Sequence, residues 1–530
     1  MNIKRFTLYL NITRPSYVFF LALGFLLTVG LAPQAMAQAQ KNFRSNGKKV
    51  NVRRFNKEVD KMMNEMGVPG LSLAIIENDQ IVFRNGYGMK RLGEAKDASQ
   101  ATNFAYGYSV KHLDIDKPVD AATVFNGASL SKTFLAFVAL QLAEEELLDL
   151  DKPMYQYMAY SRLEHDERYK QITARMALSH SSGMENWQHQ NDSKKLEIIH
   201  NPGEAFLYSG EGYNFLALVI KQILQESYSV YARERVIEKL ELKNSYLNFN
   251  RGENPIPLEK QVPMNFVAAH PMGGGQYIIR NIRVQPAYAN HFNAEDYAKL
   301  VLGMFNTKNL SNKRIKEILE PKVKIGWSKV HYGPGFKLIF SKGDTIICHG
   351  GDNPGYKNFM FYSPVKKRGF VMLTNSDRGK SMSARLNTLT TELEIEGFLA
   401  AEHDLSTYLQ YPDPAFNLLK AFDEKGATEM YAAMESGIAK GKITARSMNG
   451  LAMFFLWYGD RDIGFKILEN AKATFPKSAL TYCLLGDYYL DNGDYKLALE
   501  QYHKSKALNF SYWDLEEKIR KCEKGISQIE

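Results

Sequence analysis

Three places in the chain carry a serine followed three residues later by a lysine: Ser45–Lys48, Ser129–Lys132 and Ser363–Lys366. On a helix, positions i and i+3 share a face, so such a pair can hold an ammonium beside a hydroxyl. That is the raw material of an activated nucleophile. The surroundings separate the three. Ser45 lies in a polar stretch behind the N-terminal apolar segment, and Ser363 precedes Pro364 in what reads as a turn between strands. Only Ser129 opens a long apolar run, TFLAFVALQLAEEELLDL, the mark of a helix buried in a core. The first turn of a helix has unpaired N–H groups and a field that favours negative charge, so an alkoxide on Ser129 would be stabilised there. From the motif alone, a serine that merely caps the helix is the plainer reading.

The elements that must position this pair belong to a long chain. Its 530 residues suggest two or more domains, and 45% hydrophobic with 24% charged residues is an ordinary globular balance. Of the net charge of +9, Lys4, Arg5 and Arg14 supply three within residues 1–37, leaving +6 spread along the rest. No basic stripe points to nucleic acid. Tyr17–Leu31 is apolar but short for a spanning helix, and Ala35-Met36-Ala37 has the form of a signal-peptidase site. A secretory signal cleaved after Ala37 is expected, and with it a periplasmic or secreted protein; an uncleaved N-terminal anchor is the alternative. No later segment reads as a membrane span. Cys348, Cys483 and Cys522 are too few for a disulfide scaffold, although a Cys483–Cys522 bridge is open. The eleven histidines show no zinc-ligand spacing, so neither metal nor other cofactor is expected.

Residues 38–55 are polar and basic and read as a flexible lead-in. FNKEVDKMMNEMGVPG predicts an amphipathic helix ending near Gly67, and LSLAIIENDQIVFRNGYG predicts two strands around a turn at Asn78-Asp79. Residues 89–120 read as an irregular insertion. Strands return in DTIICHGG, YKNFMFYS and RGFVMLTN. The pattern predicts an α+β domain at 56–400: an antiparallel sheet closed by its first and last segments, flanked by helices and carrying an inserted helical region. Beyond residue 410 strand signals vanish. Tyr482, Leu485, Gly486, Tyr489, Ala498 and Tyr502 stand at tetratricopeptide spacing. Leu451, Ala452, Phe455, Gly464, Leu468, Ala471 and Pro476 repeat the pattern one unit earlier. An all-α repeat domain is expected over 410–530, serving either as a groove for a protein partner or as a buttress on the first domain.

Six blocks occur in one order: VPGLSLAIIENDQIVFRNGYG, VFNGASLSKTFLAFVALQLAEEELLDLDKPMYQYM, ITARMALSHSSGM, YSGEGYNFLALVI, NAEDYAKLVLGMF and HGGDNPGYKNFMFYSPVKKRGFVMLTNSD. Together, over roughly residues 56–395, they resemble the β-lactamase-like serine hydrolases, which include class C β-lactamases, D,D-peptidases, D-aminopeptidases and related esterases. The resemblance implies that Ser129 is the acyl-accepting nucleophile and Lys132 its partner. Tyr208, in YSG, matches the tyrosine of the family's Y-x-N element. His349, in HGG, stands where many members carry the lysine of K-T-G. The oxyanion hole would use the backbone N–H groups of Ser129 and Asp352, with Gly350 and Gly351 letting a carbonyl approach the strand. Gly210 replaces the Asn that in β-lactamases helps hold the substrate's acylamide, which argues against an efficient β-lactamase. His180 and His270 read as structural or loop residues, and Asn293 as a helix cap.

Neither proton acceptor is ready at neutral pH. A free tyrosine or lysine is basic in about one part in a thousand or less, and correcting this takes about three pKa units, or roughly 4 kcal/mol. A charge 4 Å away at intermediate dielectric supplies about that much. On this reasoning Tyr208 is the favoured base, with the Lys132 ammonium holding it as phenolate. His349 is expected to titrate near pH 6.5. The expected activity is serine hydrolysis of an ester or a D-amino-acid-containing peptide through an acyl-enzyme. The alternatives are a penicillin-binding D,D-carboxypeptidase or β-lactamase, and a non-catalytic envelope binding protein built on the same fold.

Overall fold

The computed structural model describes residues 40–91, 107–109, 116–187, 195–247, 265–270, 277–279, 286–325, 330–395, 413–458, 460–508 and 515–529. The expected signal segment, most of the 89–120 insertion and the glycines at 273–275 lie outside them.

The expected lead-in is ordered instead. β1 (Asn42–Ser45) pairs antiparallel with β2 (Lys48–Asn51). Asn46 and Gly47 between them take φ of 51° and 71°, the conformation that Asn-Gly supplies in two-residue hairpins. One face is anchored by Phe43, whose ring stacks on Phe83 at 4.9 Å and meets Phe55 edge-on at 5.4 Å. Asn51 then caps helix α1 (Val52–Met66) by accepting the Arg54 N–H, and Gly67, at φ 67°, ends it.

The same turn chemistry recurs at Asn78 and Asp79, with φ of 54° and 59°, which folds β3 (Gly70–Glu77) onto β4 (Gln80–Gly88). Two small pairings follow: β5 (Gly107–Ser109) with β7 (Tyr277–Ile279), and β6 (Phe125–Asn126) with β8 (His291–Phe292). The remaining strands are β9 (Val323–Lys324), β10 (Val330–Gly333), β11 (Phe336–Ser341), β12 (Asp344–Asn353), β13 (Tyr356–Ser363) and β14 (Arg368–Thr374). With β3 and β4 they make one eight-stranded antiparallel sheet in the order β4-β3-β14-β13-β12-β11-β10-β9. The last strand thus lies beside the first of the sheet, as the sequence pattern predicted. Ser363 closes β13, and its Oγ accepts the Lys366 N–H in the turn to β14.

Alternation along the strands divides two cores. Ala74, Ile76, Met360, Val371 and Leu373 face the helical insertion, whose centre is α2 (Ser131–Glu144), buried from Ser131 to Ala143. Leu73, Ile75, Phe359, Phe361, Phe370 and Met372 face the other way, toward α1 and the C-terminal helices. That C-terminal region is all-helical. Its hairpin Ala445–Tyr458/Arg461–Thr474 is followed by a second, Ala479–Asp491/Tyr495–Ala507, starting 34 residues later. Gly486 leaves room for the Tyr502 ring, which a Cβ would meet at 2.4 Å. Cys348, Cys483 and Cys522 are buried thiols, with no bridge between the last two.

The second core runs without a break from β14 and α1 into Phe416, Leu419, Met430, Leu451 and Leu485. Leu419→Ala is therefore expected to cost about 2–5 kcal/mol and to lower the unfolding of the whole protein. Calorimetry should show one transition that moves as a unit. Two transitions, of which only one shifts, would rule out the shared core.

Candidate active site

From Thr123 to Ala143 every residue is buried except Ser129. The exposure comes from a turn of 3-10 helix, Ala128–Leu130, placed immediately before α2. Ala128 sits at φ 48°, a left-handed conformation that costs a side-chain-bearing residue about 1–3 kcal/mol. Its neighbours hold it there. The Ala128 N–H donates to Asn126 Oδ1 at 3.0 Å, and Ser131 Oγ donates to the Ala128 carbonyl at 2.6 Å. Ser131 Oγ also accepts the Asn290 N–H at 2.9 Å. Sequence reasoning passed over Asn126, although an Asn two residues before a strained turn is a familiar side-chain acceptor.

Lys132 is fully buried. Its Nζ lies 2.8 Å from the Ala287 carbonyl and 3.4 Å from Ser129 Oγ. Aromatic faces surround it, with Tyr208, Tyr213 and Trp187 at 4.7, 5.5 and 5.9 Å from Nζ to ring centre. Burial disfavours the ammonium and brings its pKa down to about 7, a change worth roughly 5 kcal/mol.

The Tyr208 hydroxyl interacts with the Ser129 side chain. Its ring stacks on His180 at 4.1 Å. Burial raises the Tyr208 hydroxyl above its ordinary value, and the bond to Ser129 only partly offsets this. Burial therefore speaks against the expected Tyr208 phenolate held by Lys132. Burial acts on both groups, and it readies the lysine rather than the tyrosine.

His180 is structural, as expected, and holds the segment that carries Tyr208. Its Nδ1 accepts the Ser209 N–H at 3.0 Å, which fixes the backbone beside Tyr208, and its ring edge meets Tyr332 at 4.7 Å. It adopts φ 56°. The signal was present in the sequence as a buried polar residue in an apolar block, but nothing there placed it under Tyr208.

His349 is buried beside the site, not presented to it as a base. Nδ1 donates to the Gly350 carbonyl at 2.7 Å, and Nε2 accepts the Tyr332 hydroxyl at 2.8 Å. Burial, then the Lys132 charge, lowers its pKa to about 3. The expected titration near pH 6.5 is corrected: the ring stays neutral through the physiological range.

Gly351 reaches the nucleophile turn. A Cβ there would lie 2.4 Å from the Gly127 carbonyl, so only glycine permits this approach. Pairing of β12 with β11 ends at Cys348–Lys337, whereas pairing with β13 runs on to Asn353. The end of β12, from His349 to Asp352, thus has one edge unpaired next to Ser129. An unpaired N–H on such an edge, with one from the first turn at Ser129, is what an oxyanion requires. Asp352 is pinned by Lys357 at 2.6 Å and Lys380 at 3.2 Å. Burial pushes its carboxyl up, but the two ammoniums hold it below the usual range. Asn353 Nδ2 donates to Asn126 Oδ1 at 2.8 Å, tying the strand end to the nucleophile turn.

Gly210 begins helix α3 (Gly210–Leu224), and its N–H donates to Asn186 Oδ1 at 2.9 Å. A Cβ there would lie 2.2 Å from the Trp187 ring. The indole occupies the place of any side chain at position 210. Asn293 caps helix α4 (Ala294–Met304), as expected. His270 bonds the Asn375 backbone. Among the described residues no group of three or more His, Cys, Asp or Glu could hold a metal ion.

A proton leaving Ser129 for Lys132 needs the lysine neutral, and it is protonated below its pKa. Turnover begun by that transfer should rise about tenfold per pH unit below about pH 7 and level off above. The inflection should persist in His349→Gln. Its disappearance in that variant would assign the titration to the histidine instead.

The family model "Beta-lactamase" matches residues 55–394. The protein flp of Staphylococcus aureus (strain MW2) is 23% identical over 355 residues, covering 61% of this chain and 63% of the relative. This chain therefore spans less than two thirds of that relative's length. Penicillin-binding protein 4* of Bacillus subtilis (strain 168) is 21% identical over 339 residues, covering 58% of this chain and 71% of the relative. Among solved structures, an octameric penicillin-binding protein homologue from Pyrococcus abyssi superposes with a TM-score of 0.51 at 20% identity. That superposition covers 66% of this chain and 80% of the other, and it shows the shared fold.

Proposed function

The chain belongs to the Beta-lactamase family of serine hydrolases, and from that premise we propose that it is an exported hydrolase of esters or D-amino-acid amides working through an acyl-enzyme on Ser129. One observation carries the reading. Ser129 is the single accessible residue of the run from Thr123 to Ala143, with Lys132 Nζ 3.4 Å from its Oγ and the Tyr208 hydroxyl beside it.

Neutral Lys132 takes the Ser129 proton as Oγ bonds to the substrate carbonyl carbon. The developing oxyanion is met by the backbone N–H groups of Ser129 and Asp352. Collapse breaks the bond to the leaving group, which takes a proton from Tyr208, and Tyr208 recovers one from the Lys132 ammonium. Water then attacks the acyl-enzyme by the same route and frees Ser129. Two features support an esterase or amidase over a β-lactamase: Trp187 fills the place of an amide side chain at position 210, and His349 is neutral where a lysine would carry charge. The helical repeats are proposed to offer a further surface to a protein partner.

Purified protein should be labelled on Ser129 by a fluorophosphonate and should hydrolyse a nitrophenyl ester. Ser129→Ala should abolish labelling. Lys132→Ala should lower kcat by about 10³-fold or more, and Tyr208→Phe by about 10²-fold to 10⁴-fold. An absence of Ser129-dependent labelling and turnover would leave the non-catalytic binding reading. Labelling by penicillin with very slow release would place the protein with the D,D-peptidases instead.

A further inference from the structure

Two half-buried aromatic rings flank the reacting pair. Trp187 lies over Gly210, its ring centre 5.9 Å from Lys132 Nζ. Tyr288 directly follows the Ala287 carbonyl that holds Lys132, and its ring meets the indole at 5.3 Å and 88°. The two rings form an edge-to-face corner, and each keeps partial exposure beside the buried Ala287, Ala289, Ser209 and Gly210.

Resting on the acyl-enzyme reading, we propose that Trp187 and Tyr288 form a subsite for an apolar, preferably aromatic, substituent beside the scissile carbonyl, and that Trp187 determines specificity. The argument is one of chemistry and space. Glycine at 210 offers no side-chain donor or acceptor, and the indole turns its carbon edge, Cη2, Cζ3 and Cζ2, toward that position. A polar amide seated there would lose water without gaining a partner. A phenyl group or an alkyl chain would lose nothing and would gain contact area together with edge-to-face geometry. Gly210 and Trp187 act as one device. The close approach of 2.2 Å means that any larger residue at 210 must displace the indole. The neutral His349 agrees with this, since no lysine stands at that position to draw a charged group.

The test compares 4-nitrophenyl acetate, hexanoate and phenylacetate, with a second series of acetate esters varied in the alcohol. Wild-type protein should favour the phenyl-bearing member of at least one series by about tenfold or more in kcat/KM. Trp187→Ala should reduce that ratio about tenfold, while Trp187→Phe should retain most of it. The ratio compares two substrates on one protein preparation, so partial loss of folded protein cancels. A ratio unchanged by Trp187→Ala in both series overturns the subsite. Failure of the acyl-enzyme reading is told apart by the fluorophosphonate: no Ser129 labelling in the wild type sinks that reading, whereas labelling with a flat ester preference sinks only the subsite.

Discussion

The site is organised around a lysine buried without a carboxylate. Lys132 Nζ has the Ala287 carbonyl, the Ser129 hydroxyl and aromatic faces around it, and no acidic partner among the described residues. An isolated ammonium in such a place is costly, and the group responds by giving up its proton. The proposed base is thus made available near neutral pH by burial, without help from any other charge. The same surroundings tolerate its brief protonation, because ring faces attract a cation through their quadrupoles. The two histidines nearby follow from this constraint. His180 and His349 are both buried, and each also faces the charge that Lys132 carries when protonated, so both are held neutral. They hold Tyr208 and the end of β12 by hydrogen bonding and stacking rather than by titrating.

A nucleophile must be exposed while its base stays dry, and the backbone resolves that conflict. The 3-10 turn leaves Ser129 partly exposed, whereas α2 carries Lys132 down into the core two residues after the turn ends. The left-handed Ala128 is the cost of that change in direction. Asn126 gathers the holding interactions: it accepts from Ala128 and Asn353, and its amide nitrogen lies 3.1 Å from His291 Nε2. One side chain thus ties the turn to the oxyanion strand and to the β6–β8 pairing.

Much of this was legible in the chain itself, where local chemistry decides the outcome. The Asn78-Asp79 turn, the Gly67 helix stop, the Asn293 cap and the antiparallel sheet closed by its ends depend on short-range patterns, and the structure has them. The Asn46-Gly47 turn was equally readable by the same rule, but the basic residues around it suggested a lead-in. What sequence withheld is spatial. The relative burial of Lys132 and Tyr208 decides which is the base, and burial of a residue on one element depends on all the others. Trp187 sits in a stretch with no motif of its own, and its bearing on Gly210 exists only once the chain has folded.

The C-terminal helices bear on the site through packing. The Arg378 guanidinium lies over the Phe454 ring of the helical region at 5.3 Å and donates to the Met66 carbonyl at the end of α1. Its neighbour Asp377 accepts the Gly355 N–H at 2.7 Å in the β12–β13 turn and pairs with Lys357 at 2.8 Å. Lys357 in turn holds Asp352, whose backbone N–H is the proposed oxyanion donor. Asp377 and Lys357 are almost wholly buried, so breaking this pair would strand a charge, and such pairs hold geometry more firmly than surface ones. Among the described residues the end of β12 beyond Cys348 has no strand paired on its outer edge to keep it in register. Its rigidity must come from the turn beyond it and from what that turn rests on. In this protein the turn is held by Asp377, and the adjoining Arg378 rests on the helical region, which links the C-terminal helices to the support of the proposed oxyanion strand.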